Sequence, residues 1–355
     1  MRTAHLQRSR VLGARGVIVT LVLLSSAAWA QGSDNTPVKP AQEESGSIPI
    51  FRTAARLVLV DVLAQDPKTG LPLNSLRSED FRVLDNQNEV PLTVFDSGAK
   101  FNTGSLALWF VVICNEKSKG PRGELGSGWF AGKASLFRPA LDDLDKRDRV
   151  AVAHWCDDGA AQLDLRPTQD RDAAVTTLEQ ALRPVEFDWR SEGNTRHGEL
   201  TLQKLIRLII DDAHRANPRP LPVVLFLHSD STGMPPEELN SLIDDFLETS
   251  GIVFGIKDAD ARDTPVGRFS DGELRGVLQT MAQETGGQYF SIHPNSYGAA
   301  LQDILLQLHF RYELGFKPPA LDGKRHTLTV EFVGPAKTQY KSVRLRYRPE
   351  YIPTK

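Results

Sequence analysis

Between residues 106 and 309 the chain alternates short, continuously apolar runs with longer stretches whose apolar residues recur every three or four positions. No other feature limits the fold as much. The run Leu106–Ile113 is apolar at every position, so a strand made of it must be covered on both faces. Residues 150–155, 223–227, 252–256 and 288–292 are further strand candidates. Between them, Leu202, Leu205, Ile206, Ile209, Ile210 and Ala213 fall on one helical face. Leu239, Leu242, Ile243, Phe246 and Leu247 do the same. A third helix over 271–284 is predicted to stop at Gly286-Gly287, where positive φ is easily adopted. Strands alternating with helices imply a doubly wound, mostly parallel α/β sheet with helices on both faces. Ligands of such sheets bind beyond the carboxyl ends of the strands, where strand order reverses.

The flanking segments have a different period. Leu57–Val62, Phe81–Leu84 and Val90–Phe95 read as strands around the turns Asp66–Gly70 and Asp85–Asn88. Tyr312–Phe316, His326–Phe332 and Ser342–Tyr347 alternate in and out near the carboxyl end. Each set has too few strands to stand alone. The two are predicted to pack together as a small β-sandwich-like domain, residues 48–102 with 310–355, into which the α/β domain 103–309 is inserted.

Residues 1–15 carry Arg2, Arg8, Arg10 and Arg15 and no acid. The apolar run Val17–Leu24 follows, then Ala28-Trp29-Ala30. Basic start, short apolar middle and small-residue end read as a signal peptide over 1–30. The run is well short of the roughly 20 residues that span a bilayer, and no later stretch is apolar enough to do so. A polar linker over 31–47 then leads to a periplasmic or secreted protein. The net charge of −3, with no basic stripe interleaved with aromatics, argues against nucleic acid as a partner. Two cysteines, Cys114 and Cys156, are too few for a disulfide scaffold or a Cys-based zinc site.

Several motifs resemble the bacterial, acidobacterial-type family of secreted proteins with a domain related to von Willebrand factor A. In the amino-terminal part these are Val60-Asp61-Val62, Gly70, Leu76, Asp80-Phe81 and Val94-Phe95. In the carboxyl-terminal part they are Thr285-Gly286-Gly287-Gln288-Tyr289-Phe290, Tyr312–Phe316 and His326–Val330. The likeness covers nearly the whole chain after the signal peptide. It implies a von Willebrand factor A-like sheet and a metal-ion-dependent adhesion site of the form D-x-S-x-S, with a Thr and an Asp from later loops. The chain departs from that form. Cys114-Asn115-Glu116-Lys117-Ser118-Lys119 follows the first strand and lacks the leading Asp, whereas Thr195 and Asp230 match the other two loops. Nearby lysines repel a cation, so the expectation is a degenerate site (Ser118, Thr195, Asp230) with at most weak Mg²⁺ or Ca²⁺ binding and no other cofactor.

The resemblance therefore points to a binding face made of Asn115, Glu116, Lys117, Ser118, Thr195, Asp230 and Ser231, set on the loops at the carboxyl ends of the sheet. Lys117, Lys119, Arg122 and Lys133 give it a positive bias that suits an acidic partner. No catalytic residue is assigned, since G-x-S-x-G, H-E-x-x-H and P-loop motifs are all missing from the sequence. The expected function is protein binding by an exported module, with an unknown protein partner. The rival readings are a metal-dependent hydrolase using His154, His228, Asp157, Asp158 and Asp230, or a structural component of the envelope. The same topology sets Cys114 and Cys156 at the ends of neighbouring strands, near enough for a disulfide, the alternative being two buried thiols that line the base of the site.

Overall fold

The structure, a computed structural model, describes residues 57–97, 105–114, 132–156, 161–183, 201–216, 221–228, 236–259 and 271–353. The strands are β1 (Val58–Gln65), β2 (Phe81–Asp85), β3 (Asn88–Val90), β4 (Leu92–Asp96), β5 (Leu106–Cys114), β6 (Arg149–Cys156) and β7 (Ala161–Thr168). They continue with β8 (Leu221–His228), β9 (Ile252–Asp258), β10 (Tyr289–Ile292), β11 (Tyr312–Phe316), β12 (His326–Phe332), β13 (Arg344–Arg346) and β14 (Glu350–Tyr351). The helices are α1 (Arg138–Asp142), α2 (Arg171–Ala181), α3 (Leu202–Arg215), α4 (Pro236–Thr249), α5 (Asp271–Glu284), α6 (Tyr297–His309) and α7 (Gly334–Gln339).

The expected fold class is the one observed. A six-stranded sheet runs β10-β9-β8-β5-β6-β7, parallel throughout except for the edge strand β7, which pairs antiparallel with β6. Its two faces sort the apolar run of β5 by parity. Leu108, Phe110 and Val112 pack under α1, α2 and α6. Trp109, Val111 and Ile113 pack under α3, α4 and α5. The periodic residues of α3, from Leu202 to Ala213, are all buried, and Thr201 caps the helix by accepting from the Lys204 amide at 3.2 Å.

The flanking segments form two four-stranded antiparallel sheets, β13-β1-β11-β4 and β14-β12-β2-β3. Each sheet mixes strands from both ends of the chain. Between them lies one core holding Val60, Val62, Phe81, Val83, Tyr312, Leu314, Leu328 and Val330. The Tyr312 hydroxyl donates to the Leu73 carbonyl at 2.8 Å and accepts from the Leu76 amide at 3.2 Å, which fastens the long β1–β2 connection over the core.

One detail differs from the sequence reading. The expected strand Val90–Phe95 is broken at Pro91, and its halves serve different sheets: β3 pairs with β2, β4 with β11. Pro91 has no amide to donate to a ladder, so the chain changes sheets where pairing must lapse anyway. The hairpin turn between β2 and β3 is Asn86-Gln87, both at positive φ (46° and 69°), the geometry of a two-residue type I′ loop.

The sandwich attaches at the amino end of the large sheet. β4 leads into the start of β5, and α6 runs back from β10 to deliver β11 at that same end. Two buried arginines fix the junction. Arg348 donates to the Leu247 carbonyl near the end of α4 at 2.8 Å and to the Leu59 carbonyl of β1 at 2.7 Å. Arg311, wholly buried, donates to the Gly286 carbonyl just past α5 at 2.5 Å. Cations are favoured at helix carboxyl ends, and Asp61 of β1 supplies the counter-charge to both. Burial holds each guanidinium down at about 10 despite that carboxylate. Farther out, Arg325 ties the β11–β12 connection to Asp244 of α4 at 2.6 Å and to Glu350 of β14 at 3.0 Å.

Because β1 and β2 each draw a neighbour from the carboxyl-terminal segment, deleting residues 320–355 removes β12, β13 and β14 together. Hydrogen exchange on the shortened chain is expected to lose protection over 58–65 and 81–85, although these stretches lie about 280 and about 245 residues from their deleted partners in sequence. Unchanged protection there would mean that the amino-terminal strands hold without their partners.

Candidate functional site at the carboxyl edge of the sheet

Strand order reverses between β8 and β5, so the crevice where ligands of doubly wound sheets bind lies beyond His228 and Cys114. Both connections to the sandwich leave from the opposite end of the sheet. The carboxyl edge is thus the end from which the segments 115–131, 157–160, 184–200, 229–235 and 260–270 depart. The expected site residues Asn115, Glu116, Lys117, Ser118, Thr195, Asp230 and Ser231 lie outside the described residues, as do Asp157 and Asp158. So do the side chains of Cys114, Cys156 and His228, whose backbones close β5, β6 and β8.

Register places the described strand ends against one another. Cys114 is in register with Cys156, and Val112 with His154. Val112 is also in register with Leu227, so the His228 position falls beside Ile113, on the alternate pleat. His154 and His228 are separated by the width of β5 and stand at positions of opposite parity. The pair invoked by the hydrolase reading is not brought together by register.

His154 has instead a partner that the sequence reading missed. Its Nδ1 lies 2.8 Å from Oδ2 of Asp164 on β7, and both side chains are largely buried, 20% and 16% exposed. A β-bulge lies beside the contact. Val152 pairs with Leu165 and Ala153 with Leu163, which leaves Asp164 as the extra residue. Asp164 stands two residues from Gln162, the partner of His154, so alternation alone puts it on the face of β6 that carries the histidine; the bulge re-aims Leu165, which joins Val152 on that face. The signal in sequence is slight. Residues 161–168 hold Asp164, Arg166 and Pro167 among few apolar residues, so β7 does not read as a strand. An exposed, antiparallel edge position explains why such a composition is tolerated. Among described side chains no three His, Cys, Asp or Glu residues converge in a way that would hold a metal.

A second titratable cluster lies inside the sandwich, away from this edge. Buried His326 faces Asp85 through Nδ1 at 2.8 Å and Asp322 through Nε2 at 3.2 Å. Tyr351 adds its hydroxyl 3.3 Å from Nδ1. Burial and the Asp85 carboxylate push the Tyr351 phenol well above its usual range. With both ring nitrogens and the flanking carboxylate occupied, the cluster is a closed internal brace between β12, β2 and β14.

Comparison with known proteins gives structural neighbours only. No family model matches the chain, and no curated protein is significantly similar in sequence. Among solved structures, a von Willebrand factor type A protein from Catenulispora acidiphila is 12% identical, with 80% of this chain and 76% of that one covered and a TM-score of 0.39. An aerotolerance-related membrane protein from Bacteroides fragilis is 14% identical over 57% of this chain and 98% of that one, TM-score 0.39. BatB from Bacteroides thetaiotaomicron is 15% identical over the same shares, TM-score 0.36.

Proposed function

We propose that the chain is an exported interaction module of the bacterial secreted, von Willebrand factor A-related type, and that it binds a protein partner through the loops at the carboxyl edge of its large sheet. The observation that carries this reading is the division of labour between the two ends of the sheet. The amino end is occupied by the sandwich, held by Arg311 and Arg348. The switch point is at the other end, at the ends of β5 and β8. The segment that follows β5 carries Lys117 and Lys119 on either side of Ser118, the position that would offer a metal-binding oxygen. In this reading the lysine ammonium groups stand in for the cation, and the partner offers carboxylates directly to them. Metal binding at Ser118, Thr195 and Asp230 is then weak, because each ammonium repels Mg²⁺ or Ca²⁺.

Export rests on the basic, apolar and small-residue succession over 1–30. None of the described helices is long and apolar enough to cross a membrane. A periplasmic or secreted location fits both points.

Charge reversal tests the binding face. The double variant Lys117→Glu/Lys119→Glu is expected to lose its captured partner from envelope extract at least about tenfold, since like charges facing one another at an interface cost several kcal/mol. The same reversal at the exposed Lys317 of the sandwich is expected to leave capture intact. Equal capture by both variants would place the contact elsewhere on the molecule.

A further inference from the structure

His326 opens β12 inside the sandwich, and both of its ring nitrogens face a carboxylate. Nδ1 lies 2.8 Å from Oδ1 of Asp85 on β2, and Nε2 lies 3.2 Å from Oδ1 of Asp322 in the connection from β11. A neutral imidazole has one N–H and one bare lone pair, so it can donate to only one of the two. The other contact would set a lone pair against an anion. The neighbouring groups do not change that count. The Tyr351 hydroxyl of β14, 3.3 Å from Nδ1, has a single proton and Asp85 beside it as acceptor. The cations that act on the cluster are Arg348, on Tyr351, and Lys324, on Asp322. Asp322 is an anion. It accepts the Lys324 amide at 3.0 Å, which holds its carboxyl below the usual range, and the imidazole adds to that effect.

We propose that His326 is a proton-gated latch: with a proton on each nitrogen it holds the β11–β12 connection, and with it Arg325, against α4, and on losing the Nε2 proton it lets that connection go.

The Nε2 proton is the one that leaves, because its partner reaches water. The Asp322 side chain is 37% exposed, whereas Asp85 is buried at 3%. Without that proton the Nε2 lone pair repels the carboxylate, and Asp322 turns outward. Asp322 is also what orders the connection. It caps the Lys324 amide, and between them the Gly323 amide donates to the Pro353 carbonyl at 3.1 Å. Arg325 comes next. It donates to Asp244 at 2.6 Å and to the Asn240 carbonyl at 3.2 Å, both on α4, and to Glu350 at 3.0 Å. A short stretch of chain thus carries the charge of a buried imidazole to a helix of the large domain.

A proton held between imidazole and carboxylate in the folded state stabilises at mildly acidic pH, and that stability is lost as pH rises through the histidine range. At the acid end, the lowered carboxyl of Asp322 keeps its charge until pH falls below the usual carboxylate range. The latch is closed between those limits.

The experiment follows the ring nitrogens of His326 by NMR in the full chain from about pH 5 to about pH 8, the span in which histidine changes charge. Hydrogen exchange, corrected for the intrinsic effect of pH, is read over residues 322–325 and over the α4 turn 240–244. Both nitrogens are expected to be protonated at the acid end. As Nε2 loses its proton, exchange in both stretches is expected to rise about five- to tenfold with the same midpoint, a loss of one charge-assisted hydrogen bond discounted for the exposure of Asp322. Asp322→Asn still offers an oxygen to the Lys324 amide but cannot titrate, and it should flatten both responses. His326→Gln should do the same where it folds; Asp322→Asn, at a half-exposed position, is the variant that decides. Arg325→Ala should leave the response over 322–325 and remove it from α4. Four results overturn the proposal: His326 with a single ring proton at about pH 5, exchange that does not follow its titration, an Asp322→Asn protein that responds like the parent, or an α4 response that survives Arg325→Ala. None of them involves the carboxyl edge of the large sheet, so this reading and that of the binding face fail separately.

Discussion

Replacing Arg348 with alanine is expected to destabilise the protein by about 3–5 kcal/mol, the range for removing one partner of a buried ionic cluster. Arg348 is only 8% exposed, so solvent screens little of its interaction. It donates to two carbonyls, one on α4 and one on β1, and a hydrogen bond from a charged donor contributes about 1.5–3 kcal/mol. Its loss also leaves Asp61 to Arg311 alone, in a setting where burial already pushes the Asp61 carboxyl upward. Urea denaturation measures the effect. Arg344→Ala is the comparison: it lies four residues earlier, is exposed, and should shift stability by no more than about 0.5 kcal/mol. Arg348→Met, which keeps most of the volume without the charge, should fall between the two. A loss below about 1 kcal/mol for Arg348→Ala would show that the sandwich is held by its apolar contacts and not by the arginine.

That cluster was not legible in the sequence, for a physical reason. An arginine beside a strand reads as a solvated residue, because charged side chains are almost never fully buried unless paired. The cluster here is assembled from residues 61, 311 and 348, and the carbonyls that receive the guanidiniums belong to β1 and to two helix ends that only the tertiary fold brings near. The well-buried strands of the large sheet and of the sandwich were the opposite case. Leu106–Ile113, Tyr312–Phe316 and His326–Phe332 were legible nearly to the residue, since burial on both faces or on alternate positions writes itself directly into the apolar pattern. The edge strand β7 and helix α2 escaped notice because a partly exposed element needs few apolar residues; α2 buries only Ala174 and Leu178. Asp164 was lost with β7, and the histidine pairing with it. In the motif Thr285-Gly286-Gly287 the glycines were legible as having the task of ending a helix, but not that of a close approach between strands.

The structure supplies that task, and it leads to the second large effect. Helix α5 ends where Thr285 accepts the Val253 amide at 3.0 Å and donates to the Met281 carbonyl at 2.8 Å. Gly286 follows at φ +77°, with the backbone of Tyr347 and Arg348 crossing against it. Gly287 then passes so close to β9 that a Cβ there would sit 1.9 Å from the Val253 carbonyl oxygen. The obstacle is backbone in the interior of a buried sheet, so no side-chain rotation relieves it. Gly287→Ala must move either β9 or the start of β10, and it is expected to cost about 3 kcal/mol or more, the upper end for overpacking a core. Gly276 is the control from the preceding helix, where an added Cβ meets nothing within 4 Å. Alanine there should stabilise by about 0.4–1 kcal/mol, by narrowing the unfolded chain's freedom at an unstrained position. Thermal melts of the two single variants should therefore move in opposite directions. A Gly287→Ala protein that melts with the parent would mean that β9 and the α5–β10 corner are not stacked as closely as the fold requires. The arginine junction, which uses the Gly286 carbonyl as its anchor on α5, would then lack the rigid corner it depends on.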